Sequence, residues 1–188
     1  GDLLKPTGSF FESSAAISTV ALELHELAEN PRVERVVLQI GDLQVGMADV
    51  DELRRGIAQL RSVGKRVEAH LAVVDEKGYL VAAAADAIFM DPMGQITLDG
   101  FALTRRYFGD SLLKLGIRFE AVSIGKYKTG ADPLTRNESR PEDREMASRL
   151  LEQAFTSFRS ALMLDRKLAV ADFEAILNEG QFSAGRAK

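Results

Sequence analysis

The 188 residues contain no cysteine, so the chain has neither a disulfide framework nor a thiol nucleophile, a composition open to any redox compartment. Tryptophan is also absent, and histidine occurs twice. His25 and His70 lie in separate elements, and neither belongs to a Cys/His/carboxylate cluster at metal-ligand spacing, so no metal or other cofactor is expected. No apolar run approaches the roughly 18 residues that span a bilayer, and no signal-peptide pattern opens the chain, so the chain itself is expected to be soluble. A formal charge of -4, without a Lys/Arg stripe interleaved with aromatics, excludes nucleic acid as the expected partner.

What is present is ordinary globular composition, 46% apolar and 28% charged. A chain of this length fits a single α/β domain and buries roughly two thirds of its unfolded surface. It starts without methionine, and from Gly180 to Lys188 it reads as the opening of a further element. It is therefore expected to be part of a longer protein, which leaves room for an anchor outside it.

Helical and strand-like segments alternate. After an entry segment holding Pro6, Gly8 and Phe10-Phe11, apolar positions from Ile17 to Ala28 recur at helical spacing, with His25 at the surface and nothing nearby to pair with it. Asn30-Pro31 ends that helix. Val33–Ile40 is a strand whose nearly continuous apolar run suggests cover on both faces. Asp49 and Glu52 suggest a capping box for a helix burying Val50, Leu53, Ile57 and Leu60, closed by Gly64. Val67–Val74 is the next strand, Asp75–Gly78 a polar turn and Tyr79–Ala85 a short helix whose four alanines allow close packing. Two short strands, Asp86–Met90 and Gln95–Leu98, flank a turn at Asp91–Gly94. A helix is expected over Thr104–Leu115, burying Tyr107, Phe108 and Leu112, then a strand over Ile117–Ser123. A long helix from about Arg140 to Arg166 carries a Leu/Phe stripe. This alternation predicts a mostly parallel sheet with helices on both faces, and ligands beyond the carboxyl ends of its strands.

Between the last strand and the long helix lies Ile124-Gly125-Lys126-Tyr127-Lys128-Thr129-Gly130-Ala131-Asp132-Pro133-Leu134-Thr135-Arg136, a loop held at both ends by expected rigid elements. Its Gly-x-Tyr-Lys-Thr-Gly run, with Asp132-Pro133 and Arg136 after it, resembles the lysine motif of the signal peptide peptidase A (protease IV) family of serine-lysine peptidases. The resemblance covers most of the chain from about Phe10 and is most specific over Gly78–Gly100 and Gly125–Arg136. It implies a ClpP/crotonase-like fold and places Lys128 on the family's general base. Thr129 stands where a serine is usual, and Leu134 where phenylalanine is commoner. It further implies hydrophobic peptides as substrates, such as signal peptides left in the membrane, and a ring or bowl-shaped homo-oligomer. The full-length protein would then be attached to a bacterial inner membrane and face the periplasm.

Such an enzyme needs a nucleophilic hydroxyl, a neutral amine, amides for the oxyanion and an apolar groove. An unperturbed lysine is neutral only about once in 2,500 molecules at pH 7, so Lys128 would have to work in a dry site. Aligning Gly78-Tyr79 and Asp91-Pro92 with the family's serine-bearing stretch puts Glu76 where the serine would stand, and leaves Lys77 and Gly78 as oxyanion or groove candidates. A carboxylate cannot form the acyl-enzyme. Ser123 and Ser139 lie near the lysine, but neither opens a helix after a strand. The pattern resembles the N-terminal half of the family's double-length form, in which a second half supplies the serine. The alternative is a peptidase-like domain that has lost catalysis and keeps a structural or peptide-binding role. An acyl-CoA enzyme of the crotonase type would leave the lysine motif unexplained.

Overall fold

The computed structural model describes residues 10–187, with side chains from Ile17 onward. Pro6 and Gly8 lie outside the described residues, and the expected extended entry is already helical at Phe10. The elements in chain order are α1 (Phe10–Glu29), β1 (Arg35–Ile40), α2 (Met47–Ser62), β2 (Arg66–Val74), α3 (Glu76–Ala83), β3 (Ala87–Thr97), α4 (Gly109–Lys114), α5 (Asp132–Thr135), α6 (Pro141–Arg166), α7 (Val170–Glu179) and β4 (Gln181–Ser183). The chain divides into two compact units, one holding the residues up to Gly100 and from Phe158 onward, the other Phe101–Ser157.

The first unit is an α/β sheet in the order β1-β2-β3-β4. β1, β2 and β3 run parallel, while β4 pairs antiparallel with the end of β3. Helical crossovers make the parallel part, since parallel neighbours cannot be joined by a tight turn. α1 packs on α2, and α2 and α3 pack on β2. Val50, Ile57, Leu60, Val67, Ala69 and Leu80 form the water-free centre of this packing. The alanines at 82–85 are buried, as their small size led us to expect. Arg54 ties three helices together: its guanidinium donates to Leu80 O and Asp165 Oδ2, both at 2.7 Å. Phe158 and Phe173 bury their rings beside one another, 6.1 Å between centroids.

Several local expectations change. β1 alternates between buried and exposed residues instead of being covered throughout, and the exposed rings of His70 and Phe89 lie 4.9 Å apart. Asp49 is not the residue that starts α2. Gly46 holds that place, and Asp49 Oδ2 accepts its backbone N–H at 2.9 Å, so the carboxylate satisfies an amide that precedes the helix. His25 is at the surface but not alone: Gln59 Nε2 lies 2.9 Å from its Nδ1 and Glu29 is within ion-pair range. α7 has no counterpart in the expected elements.

The two strands expected around Asp91–Gly94 are one strand with a bulge. β2 passes from Leu71 to Val73 while β3 passes from Met90 to Gln95. Pro92 has no N–H to offer a ladder, and Met93 turns its own N–H to Asp91 Oδ1 at 2.8 Å. Gly94 closes the bulge against backbone, since a Cβ there would stand 2.6 Å from Ala72 O.

In the second unit the expected helix over Thr104–Leu115 shrinks to α4. Phe108 N–H donates to Pro133 O at 2.7 Å and Gly109 N–H to Arg136 O at 3.0 Å, so long-range acceptors replace the carbonyls a helix would supply. Gly109 is required there, because a Cβ would meet the Arg136 carbonyl oxygen at 2.8 Å. Residues 117–123 alternate like a strand yet form none, as no described strand lies beside them to complete a ladder. Their apolar side chains face water, with Val122 fully exposed.

Gly94→Ala is expected to lower the unfolding free energy by about 1–3 kcal/mol through overpacking at the bulge. Urea titration measures it, and an unchanged midpoint would mean that the Ala72 carbonyl can give way.

Candidate functional site

The residues singled out from the sequence fall in different units. Glu76, Lys77 and Gly78 belong to the first and Lys128 to the second.

Asp75–Gly78 is not a free turn but the start of α3. Asp75 is the N-cap, in extended conformation, and its Oδ1 accepts the backbone N–H groups of Lys77 and Gly78, both at 3.0 Å. A short polar residue in this place fits the need of a helix start for acceptors. The two amides that could have received an oxyanion therefore hold a carboxylate oxygen of their own chain. Glu76, the next residue, is only 7% exposed. Its Oε1 accepts the Gly100 N–H at 2.7 Å, tying the start of α3 to the turn after β3. Burial raises the Glu76 carboxyl above its ordinary value, and the Asp99 and Asp75 charges add to this. The amides of Glu76 itself and of Gly100 oppose it.

Gly78 sits tightly against its surroundings, with Gly41 O 3.3 Å from where a Cβ would stand. Gly41 in turn lines a groove of about 590 Å³ together with Ile40, His70, Phe89, Met90 and Pro92. This groove lies beside the β3 bulge. Its lining mixes apolar and polar side chains.

The lysine loop is fixed by the first turns of α6, residue by residue. Tyr127 Oη donates to Glu145 Oε2 at 3.1 Å, and Arg140 Nη2 donates to the Lys128 carbonyl at 3.1 Å. Thr129 Oγ1 donates to Asp143 Oδ1 at 3.1 Å. Asp143 is 1% exposed and takes three further donors: the Arg105 guanidinium, Tyr107 Oη at 2.6 Å and Ser139 Oγ at 2.7 Å. A second buried carboxylate, Asp132, receives Arg140 Nε at 2.6 Å. The Lys128 side chain is exposed, and among the described residues its ammonium has no hydrogen-bond or ion-pair partner. The strand expected to deliver it is absent, so the loop is held from its C-terminal side.

Asp143, Arg140 and Asp75 were not singled out from the sequence. Asp143 is the third residue of α6 and reads there as a first-turn acid of the ordinary kind. Arg105 and Tyr107, nearly forty positions upstream, gave no signal of where their side chains end.

A capped first turn of a short helix thus follows a parallel strand, and a clamped lysine loop precedes a long helix, in an α/β chain. The sequence profile of peptidase family S49 matches residues 59–188, and the chain belongs to that family. It is 26% identical over 188 residues to the serine protease SPPA, chloroplastic, of Arabidopsis thaliana, covering all of this chain and 28% of that protein. It is 21% identical over 150 residues to protease 4 of Haemophilus influenzae, covering 79% of this chain and 24% of that one. The chain thus spans about a quarter of the length of these relatives. Among solved structures, an enoyl-CoA hydratase/isomerase family protein from Silicibacter pomeroyi aligns over 88% of this chain and 86% of its own, at 15% identity and a TM-score of 0.38. That likeness is too slight to carry an argument. No helix among the described residues is long and apolar enough to cross a membrane.

Because the folded chain favours the protonated form of Glu76, this group stabilises the fold at pH values below the ordinary glutamate range. The contribution is lost as the pH rises through the raised value. Glu76→Gln is therefore expected to raise the denaturation midpoint at pH 7 and leave it nearly unchanged at pH 4. A lower midpoint at pH 7 would mean that the ionised carboxylate's bond to Gly100 outweighs its burial.

Proposed function

We propose that this chain is the lysine-bearing half of a serine-lysine signal peptide peptidase, which degrades hydrophobic peptides with a nucleophilic serine supplied by a second, similar domain. In this reading Lys128 is the general base. Its neutral amine takes the proton of the partner domain's hydroxyl as that oxygen attacks the peptide carbonyl, and Glu76 stands where the catalytic half has its serine. The groove beside the β3 bulge is a candidate surface for the apolar peptide, with Gly78 close to its Gly41.

The observation that carries the reading is the occupied first turn of α3. Asp75 Oδ1 accepts both amides and a buried carboxylate follows it, so acyl transfer at this turn has neither a nucleophile nor a vacant anion site. Family membership and a lysine loop held at three successive residues support a division of labour in which this half contributes the base. Exposure of Lys128 then has a role. The amine is dried by whatever covers it in the assembled protein, either the serine-bearing domain or a neighbouring copy in a homo-oligomer. We place the assembled enzyme at a bacterial inner membrane, facing the periplasm.

The same exposure favours one alternative, a catalytically silent domain with a structural or peptide-binding role. One measurement separates them. The isolated chain is expected to show no cleavage of an apolar peptide in either case. In the full-length protein Lys128→Ala is expected to lower kcat by about 100- to 10,000-fold with the fold intact by circular dichroism. Retained turnover would remove Lys128 from the mechanism and favour the silent domain.

A further inference from the structure

We infer that Asp143, acting through the Thr129 hydroxyl, is the positioning residue for the lysine loop. It is a buried carboxylate that fixes where the Lys128 amine is presented, without touching the reacting atoms. This deepens the proposed function and rests on Lys128 being the base.

Asp143 lies on α6 at the floor of the loop, almost sealed from water. Each of its oxygens takes two donors: Oδ1 the Arg105 guanidinium and Thr129 Oγ1, Oδ2 the hydroxyls of Tyr107 and Ser139. A carboxylate in such surroundings stays put, because leaving any of these donors unpaired costs a desolvated hydrogen bond. The residues that meet there come from three separate segments, 105–107, 129 and 139. One group thus joins the stretch before α4, the lysine loop and the approach to α6. Thr129 is the residue next to Lys128 and is itself buried. Holding its hydroxyl fixes the backbone of the loop from one side, while Arg140 holds the Lys128 carbonyl and Glu145 holds Tyr127 from the other. With both neighbours and its own carbonyl tied down, Lys128 keeps freedom only in its side chain. A base must sit within hydrogen-bond reach of the proton it removes, and a loop fixed in this way presents the amine from one place.

The identity of residue 129 follows from this. The contact needs a hydroxyl donor, which threonine and serine share and valine lacks although its shape is nearly that of threonine.

The test uses the full-length protein and compares Thr129→Val, Thr129→Ser and Asp143→Asn with Lys128→Ala on one apolar peptide. Thr129→Val is expected to lower kcat about tenfold with KM within twofold, Thr129→Ser to stay within twofold of the parent, and Asp143→Asn to match or exceed the valine variant. A purely structural role would scale activity with the folded fraction and leave kcat per folded molecule unchanged in Thr129→Val. Where Asp143→Asn does not fold, Thr129→Val decides alone, because it removes only a hydroxyl. An unchanged kcat in Thr129→Val, alongside lost activity in Lys128→Ala, overturns the positioning role and spares the functional reading. Retained activity in Lys128→Ala overturns both.

Discussion

A charge removed from water has to be met by donors, and this requirement shapes the chain more than any apolar contact near its candidate site. Asp143 gathers four donors from three separate segments. Asp132 and Arg140 form a second such pair beside it. In the other unit Asp75 and Glu76 take up amides of α3 and of the turn after β3. Among the described residues no buried side-chain nitrogen or oxygen is left without a partner. Because one missing donor would leave a desolvated charge, these arrangements hold or fail as wholes.

The two ends of the chemistry are treated in opposite ways. At the start of α3 the polar groups are consumed by the chain itself, so that turn is closed to an incoming anion. In the lysine loop the Tyr127 and Thr129 hydroxyls and the Lys128 carbonyl are taken up, while among the described residues the Lys128 amine is not. Saturation around one unspent group makes a loop rigid while leaving a single point of contact. Under the proposed function such a part is completed from outside, and a neutral lysine is then a requirement on the assembly and not on the chain alone.

Much of the fold was legible in the sequence, and the reasons differ by element. α2 and the later part of α6 follow from apolar spacing, and the alanine run fixed the tight packing of α3. Alternation of elements gave the mostly parallel sheet. What failed was local pattern without a tertiary partner. Residues 117–123 have the alternation of a strand, but a ladder needs a neighbour that periodicity cannot report. Thr104–Phe108 has helical spacing, yet the Arg105 and Tyr107 side chains reach Asp143 and the Phe108 amide reaches Pro133, so distant acceptors outbid the helix. The lysine loop was legible from its motif. Its clamp was not, because hydroxyls and carboxylates announce no partner from sequence position alone.

The uneven pairing of β3 has a consequence for solubility. β4 covers only Gln95–Thr97 of that strand, and among the described residues nothing pairs along the same side of its earlier half. An uncovered row of amides and carbonyls invites another chain to add on and start aggregation. Here the row is broken by Pro92, which offers no N–H, and by the bulge that carries Met93 and Gly94 out of register. An intruding strand would lose its ladder within a few residues.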